Sequence, residues 1–416
     1  MELKEKVQVI MERAVENCEV AGVNLLVEQD GKELCYAQAG LADRESHRPM
    51  DRDSILRLYS QTKPIAAAAA MILMERGLLD LCQPVSDFLP SYANQDYCLE
   101  EGNIGEDAAG GSLKCPAGKE ALAAETRQAV QPVRVCDLLN MTSGLVYPDE
   151  TTMAGKQADT VFKEIDRRLY TDKAMTTREI ADALGNCALA FEPGSSWRYG
   201  TSADVLGAVV EAVSGMKFGE FLEKELFGPL KMKDTAFWVP EEKQGRLASV
   251  YETVRENGRD TLIKYEGNNL GIRIRMDMPP AFESGGAGLA STLDDYMRFA
   301  KMLMLGGTLD GVRILQPATV NYLTGGELMG HQQAAFDQWI GLSGFSYGNL
   351  MRVCKWPARA DYIACQGEYG WDGWLGAYFA NFPKEKLTIL MGAQKKDAGT
   401  FTLTRKLRTA VLTELL

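Results

Sequence analysis

Ser60-Gln61-Thr62-Lys63-Pro64-Ile65-Ala66-Ala67-Ala68-Ala69-Ala70-Met71-Ile72-Leu73-Met74 is the stretch on which the reading of this chain turns. The run from Pro64 to Met74 is apolar on every side. It predicts a buried helix, the spine of a domain, running to about Arg76 and stopping at Gly77. Ser60 and Lys63 stand three apart at its start. On a helix, residues at i and i+3 are neighbours, about 5–6 Å apart at Cβ. A hydroxyl is thereby set beside an amine at the positive end of a helix dipole, the minimum equipment of a nucleophile with an attached base. An ordinary lysine, with a pKa of about 10.4, is a poor base at neutral pH. Burial and neighbouring cations lower it. The bland alternative is an N-cap serine with a solvated lysine, and the apolar run argues against it.

Working outward, residues 23–28 and 33–38 read as strands about an Asp30-Gly31 turn. Residues 1–20 read as an amphipathic surface helix. Towards the other end, 344–353, 375–382 and 387–393 are strand-like, and 402–415 closes the chain as a helix. Between them, 135–140, 160–187, 202–213, 218–226 and 293–305 read as helical, while 91–131 reads as a long insertion or loop. Strands at both ends with helices between predict a mixed α/β (α+β) fold. Its antiparallel sheet is built from N- and C-terminal strands, flanked by helices, with a mainly helical domain inserted. The expected boundaries are 1–88 with 286–416 for the sheet domain and 89–285 for the helical one, with the site in the cleft between them.

Composition narrows the function. The chain has 416 residues and a net charge of −12, with no basic patch, which disfavours nucleic acid and anionic membranes as partners. The longest near-continuous apolar run is about 11 residues, short of the ~18 that span a bilayer. Nine scattered cysteines with no C-x-x-C argue against a disulfide framework and against zinc. With no secretory signal at the start, they point to the cytoplasm. Only two histidines are present, His47 and His331, and a Ser-His-Asp triad would need one of them. Gly344-Phe345-Ser346-Tyr347-Gly348 matches a G-x-S-x-G elbow, but no histidine follows it and the segment continues as a strand, so it reads as a glycine-bearing strand near a sheet edge.

Two further segments carry chemistry. Tyr199, in Trp197-Arg198-Tyr199-Gly200-Thr201, lies on a turn ahead of a buried-looking helix. Its phenol could shuttle a proton between Ser60 and a leaving group, with Lys63 stabilising the phenolate; the alternative is a tyrosine that only packs its ring. Gly370-Trp371-Asp372-Gly373-Trp374 precedes a strand. Its glycines let backbone approach a ligand, and an N–H there, paired with that of Ser60, could form an oxyanion hole. An aromatic-capped hairpin is the alternative.

These segments, in this order, resemble the serine β-lactamase and penicillin-recognising superfamily, in particular its class C-like branch and the family VIII carboxylesterases. Ser60-Gln61-Thr62-Lys63-Pro64 resembles the first family motif. Leu138 to Leu145 resembles the structural LLxHTSGL turn, with Met141 in place of histidine. Pro193-Gly194 through Tyr199 and Leu206-Gly207 resembles the second motif, and Gly285 through Phe299, with Asp295 and Tyr296, the GGxGLxST segment. Gly373-Trp374-Leu375-Gly376 lies in the third. The likeness spans roughly Ala21 to Gln394.

The resemblance implies Ser60 as nucleophile, Lys63 and Tyr199 as the general-base pair, and N–H groups of Ser60 and Trp374 as the oxyanion hole. It leaves open which of lysine and tyrosine takes the first proton. The departures bear on substrate. The lactamase Tyr-x-Asn is here Tyr199-Gly200-Thr201, and Lys-Thr-Gly is here Trp371-Asp372-Gly373. Thr201, Trp371, Asp372 and Gly373 are therefore the expected substrate-binding residues, with Asp372 and Asp149 as candidates for attracting a cationic substrate. Loss of the carboxylate-binding lysine favours a carboxylesterase acting on small esters or amides. A class C-type β-lactamase or D-amino-acid peptidase, an acyltransferase, and a catalytically weak ligand-binding homologue are the alternatives. No metal or cofactor is implied, and the oligomeric state is not legible.

Overall fold

The two ends of the chain build one sheet. The computed structural model describes residues 2–99, 125–256, 258–339, 341–399 and 401–416. Its sheet contains β1 (Gly22–Gln29), β2 (Lys32–Asp43), β3 (Arg48–Pro49), β4 (Phe345–Gly348), β5 (Met351–Cys354), β6 (Tyr369–Asp372), β7 (Tyr378–Phe382) and β8 (Leu387–Ala393). The spatial order is β4-β5-β6-β7-β8-β1-β2-β3, and every neighbouring pair is antiparallel. The ends meet where β1 pairs with β8, from Val23 opposite Ala393 to Gln29 opposite Leu387.

Side-chain alternation assigns the two faces. Val23, Leu25 and Val27 of β1, with Leu387, Ile389 and Met391 of β8, pack with Val7, Met11 and Ala14 of helix α1 (Leu3–Glu16) and with the C-terminal helix Thr402–Leu415. Leu26, Phe379 and Leu390 face the other way, into the cluster that contains helix α2 (Lys63–Glu75). Residues 63–73 of α2 are all buried. A sheet covered on both faces explains why its central strands read as near-continuous apolar runs. On the α1 side, Arg408 of the C-terminal helix forms a buried ion pair with Glu368, at 2.6 and 2.7 Å.

Several expected elements are corrected. Residues 160–187 form no single helix but parts of two, α4 (Met153–Arg168) and α5 (Thr177–Gly185), which follow the short α3 (Val135–Asn140). Thr176 caps α5 through a box with Glu179, and that local capping competes with helix continuation. The span 344–353 is a hairpin, because Asn349 and Leu350 turn the chain at φ 50° and 62°. Ser346 lies buried in its edge strand β4, where its hydroxyl accepts from the Leu328 N–H, and the strand leads into another strand. The ends of the 91–131 segment pair as a ribbon, Asp96–Cys98 against Thr126–Gln128; residues 100–124 lie outside the described residues. The helix at 202–213 is α6 (Ser202–Ser214), closed by Gly215 at φ 70°. The 218–226 helix gives way to a π turn over Glu223–Phe227. No helix among the described residues is long and apolar enough to cross a membrane.

Candidate active site

Ser60 lies one step outside the helix expected to carry it. Tyr59–Thr62 is a 3₁₀ turn, and Lys63 is the first residue of α2. The pair still meets, since the 3₁₀ turn runs straight into the helix. Tyr59, immediately before Ser60, has φ 46°, a conformation that a bulky residue adopts only when its surroundings over-determine it. The surroundings do so here. The Leu58 N–H donates to the Leu289 carbonyl at 2.9 Å, the Leu289 N–H to Thr62 Oγ1 at 3.2 Å, and the Tyr296 hydroxyl to the Gln61 carbonyl at 2.9 Å. The Tyr59 ring packs edge-on against Trp374, 4.8 Å between centroids. A Cβ on Gly373 would stand 2.1 Å from the Leu58 carbonyl oxygen. Glycine is therefore required where the β6–β7 loop abuts the Ser60 turn. Among the described residues the Trp374 N–H serves no backbone acceptor.

Lys63 is fully buried. Its Nζ lies 3.2 Å from Ser60 Oγ, 3.0 Å from the Tyr147 hydroxyl and 2.8 Å from the Gly286 carbonyl. Burial pushes its pKa down to about 7, against the opposing pull of the Asp204 carboxylate. A carbonyl can only accept, so Gly286 takes one N–H whatever the protonation state. In the neutral amine this leaves one N–H and the lone pair to divide between Ser60 and Tyr147.

Tyr199 is buried beside them, with Lys63 Nζ 4.5 Å from its ring centroid. Burial raises its pKa, while hydrogen bonds to Ser60 and Trp371 work in the other direction. Trp371 Nε1 donates to the Tyr199 hydroxyl at 2.9 Å. Indole can only donate, so the phenol oxygen accepts there and keeps its own proton available for Ser60. The Tyr199 ring is held by Trp339 at 5.0 Å and Trp371 at 5.5 Å between centroids.

Ser60, Lys63, Tyr199, Trp371, Gly373 and Trp374 are thus brought into one locality. The remaining expected contacts are deployed otherwise. Thr201 is fully buried, with Oγ1 directed at the Val146 carbonyl. Asp372 is ion-paired with Arg352 at 2.7 Å. Asp149 pairs with Arg198 at 2.9 Å and accepts from Thr151 and Thr152. A cationic substrate would therefore find the Asp372 and Asp149 charges already matched. Trp371 spends its polar atom on Tyr199, and Gly373 acts through its lack of a side chain.

Two residues escaped sequence reasoning. Tyr147 reaches Lys63 because the 145–147 segment packs on Gly200, where a Cβ would meet the Leu145 carbonyl at 2.1 Å. Its signal was an aromatic just after the Thr142-Ser143-Gly144 turn. Asp204 is an acid inside an otherwise apolar stretch of α6, which is a detectable anomaly. Neither histidine is among the partners of Ser60: His47 lies in the turn before β3, and His331 contacts the Gly194 carbonyl.

Known proteins resemble this chain in sequence and fold. Esterase EstB from Burkholderia gladioli is 29% identical over 422 residues, covering 98% of this chain and 95% of its own. Monacolin J acid methylbutanoyltransferase from Aspergillus terreus is 28% identical over 280 residues, 66% of this chain and 58% of its own. Among solved structures, EstCE1, described as a hydrolase with promiscuous acyltransferase activity, superposes with a TM-score of 0.75 at 24% identity, covering 98% of both chains. Unliganded simvastatin synthase from Aspergillus terreus superposes with a TM-score of 0.74 at 19% identity, covering 100% of this chain and 99% of its own. The sheet built from both termini, the buried helix behind Ser60 and a family match running from residue 7 to residue 412 lead to one conclusion: the chain belongs to the Beta-lactamase family.

Proposed function

We propose that this protein is a serine hydrolase that forms an acyl-enzyme on Ser60 and acts on small esters. The observation that carries the reading is the buried Lys63 amine, 3.2 Å from Ser60 Oγ and held near a pKa of 7. In this reading the neutral Lys63 takes the Ser60 proton as Oγ attacks the substrate carbonyl. The new ammonium is received by Gly286 and Tyr147, and the N–H groups of Ser60 and Trp374 take the oxyanion. Tyr199, held by the Trp371 indole, passes a proton to the leaving alcohol and recovers one from Lys63. Water then attacks the acyl-enzyme. Tyr199 is a poorer first base than Lys63, because burial raises its pKa and keeps the phenol protonated.

Esters are favoured over β-lactams by the charge at the cleft. The position that would need a cation holds Trp371, whose N–H is committed to Tyr199, and the neighbouring Arg352 is committed to Asp372. Assays with p-nitrophenyl acetate and butyrate against nitrocefin test this ranking. We expect ester hydrolysis to exceed nitrocefin hydrolysis by at least about tenfold; robust nitrocefin turnover with weak esterase activity reverses it. Acyl transfer is the second reading, supported by the transferase among the relatives and the description of EstCE1. It calls for added alcohols to divert the acyl group into new esters. Free thiols at Cys18, Cys35, Cys82, Cys136, Cys187, Cys354 and Cys365 accord with the cytoplasm, the location we assign.

The pH profile follows from the lysine. Only the neutral amine has a lone pair, so kcat/KM should rise about tenfold per unit below pH 7 and level off above it. A profile flat from pH 5 to 8 would remove Lys63 from the base role.

A further inference from the structure

Asp204 is a buried carboxylate to which the proposed mechanism gives no task. It projects from the first turn of α6 and is 4% exposed. One oxygen, Oδ1, accepts from the Ser284 hydroxyl at 2.5 Å and from the Gly286 N–H at 3.1 Å. The Gly286 carbonyl is the same group that receives Lys63 Nζ at 2.8 Å. A single glycine residue is thus held between acid and amine, its N–H on one and its C=O on the other. The fit leaves no slack: a Cβ on Gly286 would stand 2.7 Å from Asp204 Oδ2, and one on Gly285 would stand 2.3 Å from the Ala203 carbonyl. The glycine-rich turn at 284–288 is therefore shaped to the N-terminal end of α6.

We infer that Asp204 is a positioning residue for the proposed reaction, one that aims the Gly286 carbonyl at Lys63 and sets the proton affinity of its amine through space. The inference rests on the Ser60/Lys63 reading above. Burial alone would drive an unaccompanied lysine to lose its proton well below neutrality. A negative charge one residue's width away restores part of the ammonium's stability without touching Nζ, so the amine stays free to face Ser60. A direct ion pair would instead hold Lys63 protonated. The groups that sense the Asp204 charge are Lys63, whose ammonium it favours, and the phenols of Tyr92, Tyr147 and Tyr199, whose ionisation it opposes. Keeping Tyr199 protonated while leaving Lys63 titratable near neutrality separates the donor from the acceptor of the proposed proton transfers.

The test is the pH dependence of kcat/KM for p-nitrophenyl butyrate in Asp204→Asn, with KM and thermal melting measured alongside. The asparagine retains an acceptor for the Gly286 N–H and removes the charge. The ammonium loses a stabilising partner, so the acid limb should move down by about one pH unit, with KM changed less than about twofold. The pH dependence of Ser60 labelling by a fluorophosphonate should move with it. Asp204→Glu, which restores the charge, should return the limb towards that of the wild type. An acid limb unmoved in a folded Asp204→Asn overturns the proposal, as does a limb that moves upward. Asp204→Ser serves as a second neutral replacement. If neither neutral variant folds, the carboxylate is a requirement of the fold and the positioning role falls. Failure of the underlying reading is separately visible, because wild type would then carry no label at Ser60.

Discussion

Lys63→Met should abolish most of the activity while leaving the protein at least as stable as before. Methionine matches the length of the lysine stem and fills the same buried space, but it offers no basic amine to Ser60 Oγ. Loss of a general base in contact with its nucleophile costs about 10²–10⁴-fold in kcat/KM. Stability moves the other way. Holding the amine near pKa 7 in the fold, against its ordinary value of 10.5, means that the unfolded chain binds a proton more tightly than the native one at neutral pH. The native state is disfavoured by on the order of 1.4 kcal/mol for each unit of that difference. The penalty is present below the folded pKa and fades as pH rises through the unfolded one. Methionine removes it, at the expense of leaving the Gly286 carbonyl without its donor, about 1–3 kcal/mol in the opposite sense. Thermal melting at pH 7 should therefore be unchanged or higher, and turnover of p-nitrophenyl butyrate should be a small residue. A variant that keeps more than about a tenth of wild-type kcat/KM would show that Lys63 only packs the helix.

Ser60→Ala should remove turnover altogether, by about 10⁴–10⁶-fold, together with the covalent mass added by a fluorophosphonate. The size of the effect depends on no other hydroxyl taking over, and the structure makes that specific. Ser143 and Ser202 are hydrogen-bonded to each other at 2.8 Å in the core. Ser284 is engaged by Asp204, and Ser346 is buried in the edge strand β4. Tyr147 and Tyr199 touch the site but are phenols whose burial disfavours ionisation. The alanine also leaves Lys63 with one acceptor fewer, a change too small to unfold the chain. Equal ester hydrolysis by wild type and Ser60→Ala would end the acyl-enzyme reading, whatever the position of Lys63.

Much of the fold was legible because burial patterns are written locally. The near-continuous apolar runs of β1 and β8, the all-apolar helix after Lys63 and the glycine stop at Gly77 each express a local rule, and each held. The errors arose where local rules compete. A capping box at Thr176 interrupted a helix that periodicity alone would continue. Two consecutive left-handed residues, Asn349 and Leu350, folded an apparent strand back on itself, and leucine gives no warning of such a conformation. β6 was legible only as one arm of the aromatic-capped hairpin weighed for 370–374, because its four residues carry glycine and aspartate, which do not look like strand; pairing to β5 and β7 secures its place.

At the site, the sequence by itself determined the spacing of Ser60 and Lys63, the apolar stretch that would bury the amine, and the absence of any lysine from the third motif. Each is a property of neighbours in the chain. Only the tertiary structure decided what those groups touch. Tyr147 and Gly286 come to Lys63 from 84 and 223 residues away, Trp371 comes to Tyr199 from 172, and Arg352 matches the Asp372 charge. The physical reason is that a side chain's partners, and with them its proton affinity, are set by the packing of distant segments, which sequence separation does not encode.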